Sequence, residues 1–148
     1  MLIDFQQALA DLTASPDLCL QVRRDAAALH GRYRLNERET SRLLAIVNHP
    51  GMECACIVYR ANRLAPLALN LAETCRVLGA GLRDLVSDYW ARHPEGNVHF
   101  FVETERFCRY LEGRLEAGAT LPAALPAVLA REAAAVRAGL RESFTEAA

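Results

Sequence analysis

The residues best suited to chemistry are five cysteines and four histidines. Cys54 and Cys56, with His49 shortly before them, form the densest group of soft metal ligands. A structural zinc site usually needs two ligand pairs with wider spacing, and the other cysteines, among them Cys19, stand alone in the sequence. On a helix, two residues separated by one other point about 200° apart. We therefore predict buried small side chains rather than a metal site here.

Catalytic groups are equally scattered. The sequence has no G-x-S-x-G elbow and no Cys–His pattern of a protease, and the absence of lysine excludes Schiff-base chemistry and a P-loop lysine. Two carboxylate pairs, Glu103 with Glu105 and Asp84 with Asp88, fall on acid-rich helical segments and are expected to be solvated. We predict no catalytic residue, no metal and no cofactor in this chain, and no enzymatic activity of the chain alone.

Aromatic and arginine side chains are the better candidates for function, because Tyr, Trp and Arg dominate the energetics of protein interfaces. Tyr59 and Arg63 share one helical face at a spacing of four residues. These side chains could instead complete the core. The predicted binding residues are Tyr59, Arg60, Asn62, Arg63, Tyr89, Trp90, His93, Phe100 and Phe101.

Helical periodicity and capping signals recur along the chain. Ser15 followed by Pro16 predicts a helix start, and Asn36 with Glu39 predicts a capping box. Pro66 is expected to kink or divide a long apolar helix. The sequence predicts an all-α fold, a compact bundle of about seven short helices with at most one short extended segment at 98–102.

The same pattern places further boundaries. Thr104 is expected to cap the helix after the extended segment, and His49-Pro50-Gly51 is expected to break the chain between two helices. We divide the chain into an N-terminal helical segment, 1–50, and a helical domain, 51–148, which together form one compact unit.

Charge and hydropathy limit the partners. The formal net charge is −1, whereas nucleic-acid-binding proteins normally carry a basic excess. No apolar run approaches the ~18 residues that a transmembrane helix needs, and the acidic N-terminus, MLIDFQQALADL, is unlike a signal peptide. We predict a cytoplasmic protein that binds neither nucleic acid nor membrane, with its cysteines reduced.

Several motifs occur together in the second half of the chain. They are Tyr59-Arg60-x-Asn62, Leu69-x-Leu71-Ala72-x-Thr74, Leu85-x-x-x-Tyr89-x-x-x-His93-Pro94, Phe107-x-x-Tyr110-Leu111 and Leu125-Pro126-x-x-Leu129-Ala130-Arg131-Glu132. The set resembles the helical partner proteins of multinuclear non-heme iron-dependent oxidases. Those oxidases modify cysteines of ribosomally made peptides, as in methanobactin and 3-thiaglutamate biosynthesis.

The resemblance covers about Tyr59 to Ser143 and is nearest to the 3-thiaglutamate type. It departs from the pattern at 75–82, which is shorter, and at Arg76, which replaces a proline. The segment Asp4 to Val47 lies outside it, and resembles only weakly the short helical leader-type domains of peptide natural-product pathways.

The resemblance implies a role. The iron and the TIM-barrel fold would belong to the oxidase, and this chain would bind the oxidase and help present the leader of a precursor peptide. We expect the oxidase to meet residues 59–63 and the loop 93–101. The leader would use a neighbouring groove, with the arginines of the final helix attracting its acidic residues.

Two alternatives remain at this stage. A small DNA-binding regulator would use helices 37–47 and 52–64 as a helix-turn-helix, with Arg60 and Arg63 reaching phosphate. A stand-alone enzyme would use Cys54, Cys56 or His49.

Overall fold

The computed structural model describes residues 2–96 and 99–145. Within them every regular element is helical, so the predicted all-α class is confirmed. Nine α-helices occur in these residues rather than about seven, because two short ones precede α4 and α7. The helices are α1 Leu2–Ala14, α2 Pro16–Arg24, α3 Ala27–His30, α4 Glu37–Asn48, α5 Pro50–Asn70, α6 Ala72–Leu78, α7 Leu82–Arg92, α8 Phe100–Glu116 and α9 Leu125–Thr145, with a 3₁₀ turn at Gly79–Gly81.

The chain forms two compact units, Met1–Ala61 and Asn62–Ala148. The sequence placed the division at residue 50, whereas the structure places it inside α5. The reason lies in the start of α5, where Met52 and Cys56 are buried in the core of the first unit. No helix in the described ranges is long and apolar enough to cross a membrane.

Unit 1 packs α1, α2 and α4 around a core that includes Leu12, Leu43 and Val47, all fully buried. Its helix ends follow the predicted signals. The Ser15 side chain accepts a hydrogen bond from the Leu18 backbone N–H at 3.2 Å. Asn36 and Glu39 form the reciprocal capping box. These local caps satisfy amides that have no partner within the helix.

Unit 2 is built on the packing of α8 against α9, with α6 also against α9. Glu132 of α9 stabilises the start of α6 by accepting hydrogen bonds from the backbone N–H groups of Glu73 and Thr74, at 3.0 and 2.8 Å. Leu71, at the N-cap position, has no side chain that could do this. A carboxylate at a helix N-terminus also complements the helix dipole.

Two boundary predictions are wrong. In the described part of 98–102 only the N-cap residue His99 has extended backbone, because α8 already begins at Phe100. Thr104 therefore lies inside α8, where its hydroxyl donates to the Phe100 carbonyl at 2.7 Å instead of capping. Of the two effects expected of Pro66, division of the helix does not occur, since α5 continues to Asn70. The predicted break at His49-Pro50-Gly51 is confirmed: α4 ends at Asn48, and only His49 separates it from α5, because Pro50 fits the first turn of a helix.

Candidate functional site

The nine predicted binding residues divide between the two units and differ in their exposure. Tyr59 and Arg60 belong to unit 1, and both are partly buried there. The other seven belong to unit 2. Of those, Asn62 and Phe100 are exposed, Trp90, His93 and Phe101 are partly buried, and Arg63 and Tyr89 are buried.

Arg63 lies inside unit 2 and is only 5% exposed. Its Nη2 and Nε contact the Oε1 atom of Glu103 at 2.7 and 2.8 Å, and Glu103 is fully buried. The guanidinium also lies over the rings of Tyr89 and Trp90, 5.6 and 5.7 Å from their centroids. A buried charge must be paired, and this one is held by a carboxylate and two aromatic faces. Arg63 therefore organises the interior of unit 2 rather than projecting from it.

Tyr89 belongs to the same interior. Its ring contacts those of Phe107 and Tyr110, with centroids 5.2 and 5.6 Å apart, and the His93 ring at 5.1 Å. Burial raises the pKa of the Tyr89 hydroxyl, with the Glu103 carboxylate adding to the effect. The Tyr89–x–x–x–His93 motif thus joins the end of α7 to α8 through ring contacts.

Two aromatic side chains of unit 2 stack on one another, since the His99 ring lies on Phe144 with centroids 5.6 Å apart and planes 12° apart. Phe144 is 59% exposed, and Phe100, which follows His99 directly in the chain, is 48% exposed. We call these three residues the aromatic patch. Contiguous exposed apolar groups mark interaction sites, and aromatic side chains are enriched in interface hot spots.

Phe101 points instead into α9. A Cβ atom at Gly139 would lie 2.7 Å from the Phe101 ring, so the helix tolerates the ring only because this position is glycine. Phe101 is accordingly part of the packing between α8 and α9, and of the adjacent pair only Phe100 remains available to a partner.

The carboxylates of α8 were expected to be solvated, and this is wrong. Glu103 is buried against Arg63, and Glu105 is 6% exposed. Glu105 pairs with Arg109 at 2.7 Å and with Arg137 of α9 at 3.0 Å. Each buried acid of α8 is thus paired with a cation, Glu103 with the buried Arg63 and Glu105 with the more exposed Arg109 and Arg137.

Of the two α7 carboxylates, Asp84 and Asp88, one is solvated and the other is partly buried. Asp84 is exposed as expected. Asp88 is partly buried and accepts hydrogen bonds from Tyr110, Arg92 and Arg114 at 2.7, 2.9 and 3.3 Å. The Tyr110 and Arg92 hydrogen bonds lower the pKa of this carboxyl. Asp88 is thus a structural junction between α7 and α8.

One arginine of the final helix, α9, is also held in ion pairs. Arg137 pairs with Glu112 at 2.8 Å as well as with Glu105, and these bonds raise the pKa of its guanidinium. Arg137 is therefore already paired and does not serve the expected attraction of a leader by α9. Arg131 and Arg141 are exposed on that helix.

Unit 1 contains a groove of about 230 Å³ between α2 and the start of α5. Its walls are mostly apolar, and its lining residues are Pro16, Cys19, Leu20, Arg23, Met52, Glu53, Cys56, Ile57 and Arg60. At its mouth Leu20 and Ile57 are 47% and 62% exposed. Sequence reasoning missed this groove because its two walls are far apart in the chain.

Two cysteines lie side by side in that groove. Both thiols donate to the same carbonyl, that of Leu12, with the Sγ of Cys19 at 2.9 Å and that of Cys56 at 3.6 Å. Cys19 has no cysteine near it in the sequence, but the fold places Cys56 beside it. Cys56 is buried as predicted, whereas Cys54 lies on another side of the helix and is exposed, so the prediction of a buried side chain is wrong for Cys54. His49 accepts a hydrogen bond from the Gly51 amide at 3.0 Å.

Within the described ranges, no three His, Cys, Asp or Glu side chains come together as a set that could hold a metal ion. Burial raises the pKa of the Cys19 thiol to about 11 and that of Cys108 to about 12. The nucleophilic form of a cysteine is the thiolate, so these two thiols are poor nucleophiles at neutral pH.

The helices proposed for DNA binding are joined through one residue, His49. A helix-turn-helix usually has a turn of three or four residues. Arg63, one of the two arginines that this alternative assigns to phosphate, is instead paired with Glu103. No observation in the described residues specifically favours DNA binding.

No protein family, no curated protein and no solved structure matches the chain. Function is therefore argued from the two units and from the motifs that carry the resemblance.

Proposed function

We propose that this chain is a non-catalytic partner subunit. It binds a multinuclear non-heme iron-dependent oxidase and helps present the leader of a ribosomally made precursor peptide for modification of a cysteine. The iron belongs to the oxidase. The observation that carries the proposal is that unit 1 and unit 2 each expose a surface suited to binding.

The oxidase is assigned to the aromatic patch of unit 2. Phe100 and Phe144 expose about half of their side chains. Phe100 also lies within the 93–101 region that residue type predicts to meet the enzyme. Arg63 and Tyr89, which were predicted to contact the partner, are now assigned a structural role. A partner could reach neither side chain without disturbing the buried ion pair of Arg63 and Glu103. Within this proposal they hold α7 against α8.

The leader is assigned to the groove of unit 1. Leu20 and Ile57 offer an apolar contact surface, while Arg23 and Arg60 line the same groove with a single acid, Glu53. A leader segment with an apolar side chain next to a carboxylate would complement these apolar and basic residues of the groove. The groove thereby takes the place of the final helix as the site that attracts the acidic residues of the leader.

Leu20→Asp tests the leader site. Burying a leucine contributes about 1.5–3 kcal/mol, so loss of this contact should weaken leader binding by about 10- to 100-fold. The measurement is fluorescence anisotropy with a labelled synthetic leader from a short cysteine-containing reading frame beside the gene. Ile3→Asp is the matched control, since Ile3 is 76% exposed in the same unit and lies outside the groove. Equal weakening by both substitutions, or by neither, contradicts the assignment.

A further inference from the structure

The groove of unit 1 brings together three sulfur atoms that the proposed function does not use. Cys19 comes from α2, and Met52 and Cys56 come from α5. Met52 and Cys56 are four residues apart, so their side chains lie on one face of the helix. All three are about 5% exposed, and all three line the same groove.

The two thiols are already close to one another. Each donates its proton to the Leu12 carbonyl, at 2.9 Å for Cys19 and 3.6 Å for Cys56. A carbonyl that receives both thiols keeps the two sulfur atoms near one another. Two neighbouring thiols can supply both ligands of a two-coordinate soft metal ion, and Met52 adds a thioether to the same groove.

We infer that Cys19, Cys56 and Met52 form a binding site for a soft monovalent metal ion, Cu⁺. Thiolate and thioether ligands select Cu⁺ over harder ions. Zinc takes four ligands in its structural sites, and three sulfur atoms supply too few. The groove gives the ion a path to residues that are otherwise buried.

Binding is an exchange of ion for protons. Cu⁺ enters, the two thiols lose their protons to solvent, two copper–sulfur bonds form, and no electron is transferred. Thiol ligands bind the ion as thiolates, so metal binding releases protons. The positive charge of the nearby Arg23 opposes the incoming cation.

The test is an anaerobic titration of the full chain with Cu⁺ held by bicinchoninate, whose colour is lost as the protein removes the ion. We expect one equivalent to be transferred by the wild type, and X-ray absorption to report sulfur ligands only. Cys19→Ser and Cys56→Ser should abolish transfer, and Met52→Leu, which conserves volume, should weaken it by about tenfold. Serine keeps a donor for the Leu12 carbonyl, and circular dichroism verifies that each variant is folded.

Cys54→Ser is the matched control, because Cys54 lies on the same helix and is exposed. It should leave transfer unchanged. Retention of copper by bicinchoninate, loss of binding in Cys54→Ser, or tighter binding of Zn²⁺ than of Cu⁺ would each overturn the inference. The copper titration contains no leader peptide and the anisotropy measurement contains no copper, so failure of the leader assignment and failure of the metal site are distinguishable.

Discussion

Glu103→Ala is expected to lower the free energy of unfolding of unit 2 by about 3–5 kcal/mol, because it leaves the Arg63 charge buried without its carboxylate. The guanidinium would keep only the ring faces of Tyr89 and Trp90 and a contact with the Pro94 carbonyl at 3.5 Å. Those groups offset a small part of the cost of burying a full charge. Urea unfolding measures the loss. The single tryptophan, Trp90, reports on unit 2 through its fluorescence, and circular dichroism supplies a second signal.

Two further variants separate charge from packing. Arg63→Met combined with Glu103→Leu removes both charges and should recover most of the lost stability, since an apolar pair of similar volume often replaces a buried ion pair without loss. Arg76→Ala removes the cation of the exposed Arg76–Glu73 pair and should change little. Equal stability of Glu103→Ala and the wild type would show that the buried pair is not required.

Phe100→Ala and Phe144→Ala should each weaken the complex with the oxidase by about 30-fold, the effect of an interface hot spot of about 2 kcal/mol. Both rings are about half exposed, so their loss costs little in the free chain. Affinity is measured by biolayer interferometry with the oxidase immobilised. Leu69→Ala is the control, since Leu69 is 71% exposed in the same unit and lies outside the aromatic patch. Should Leu69→Ala weaken the complex as much as the phenylalanine variants, the patch would not be the binding surface.

The features of the fold that depend on residues close together in the sequence could be predicted. The helix caps formed by Ser15 and by the Asn36–Glu39 pair can be recognised from residues within four positions of the helix start, and the structure confirms both. The all-α class follows from periodicity in the same way. The start of α8 could not be predicted, because Phe100 and Phe101 resemble strand residues locally, whereas in the fold Phe101 packs against Gly139 of α9.

The sites depend on contacts between distant residues. Arg63 and Glu103 are 40 positions apart, and without coordinates the arginine looked like an interface anchor. One signal was present: Arg63 precedes Leu67 and Leu71 on the apolar face of a helix, where a charge needs a buried partner. Cys19 and Cys56 carried no comparable signal, since their helices meet only in the folded unit.

The central claim, that this chain works as a partner subunit, is tested most directly by co-expression with the proposed iron oxidase, followed by size-exclusion chromatography. The account predicts one peak that contains both chains, with iron in the oxidase. Separate elution of the two chains, both folded and at concentrations above 10 μM or so, the range of ordinary transient complexes, would contradict it.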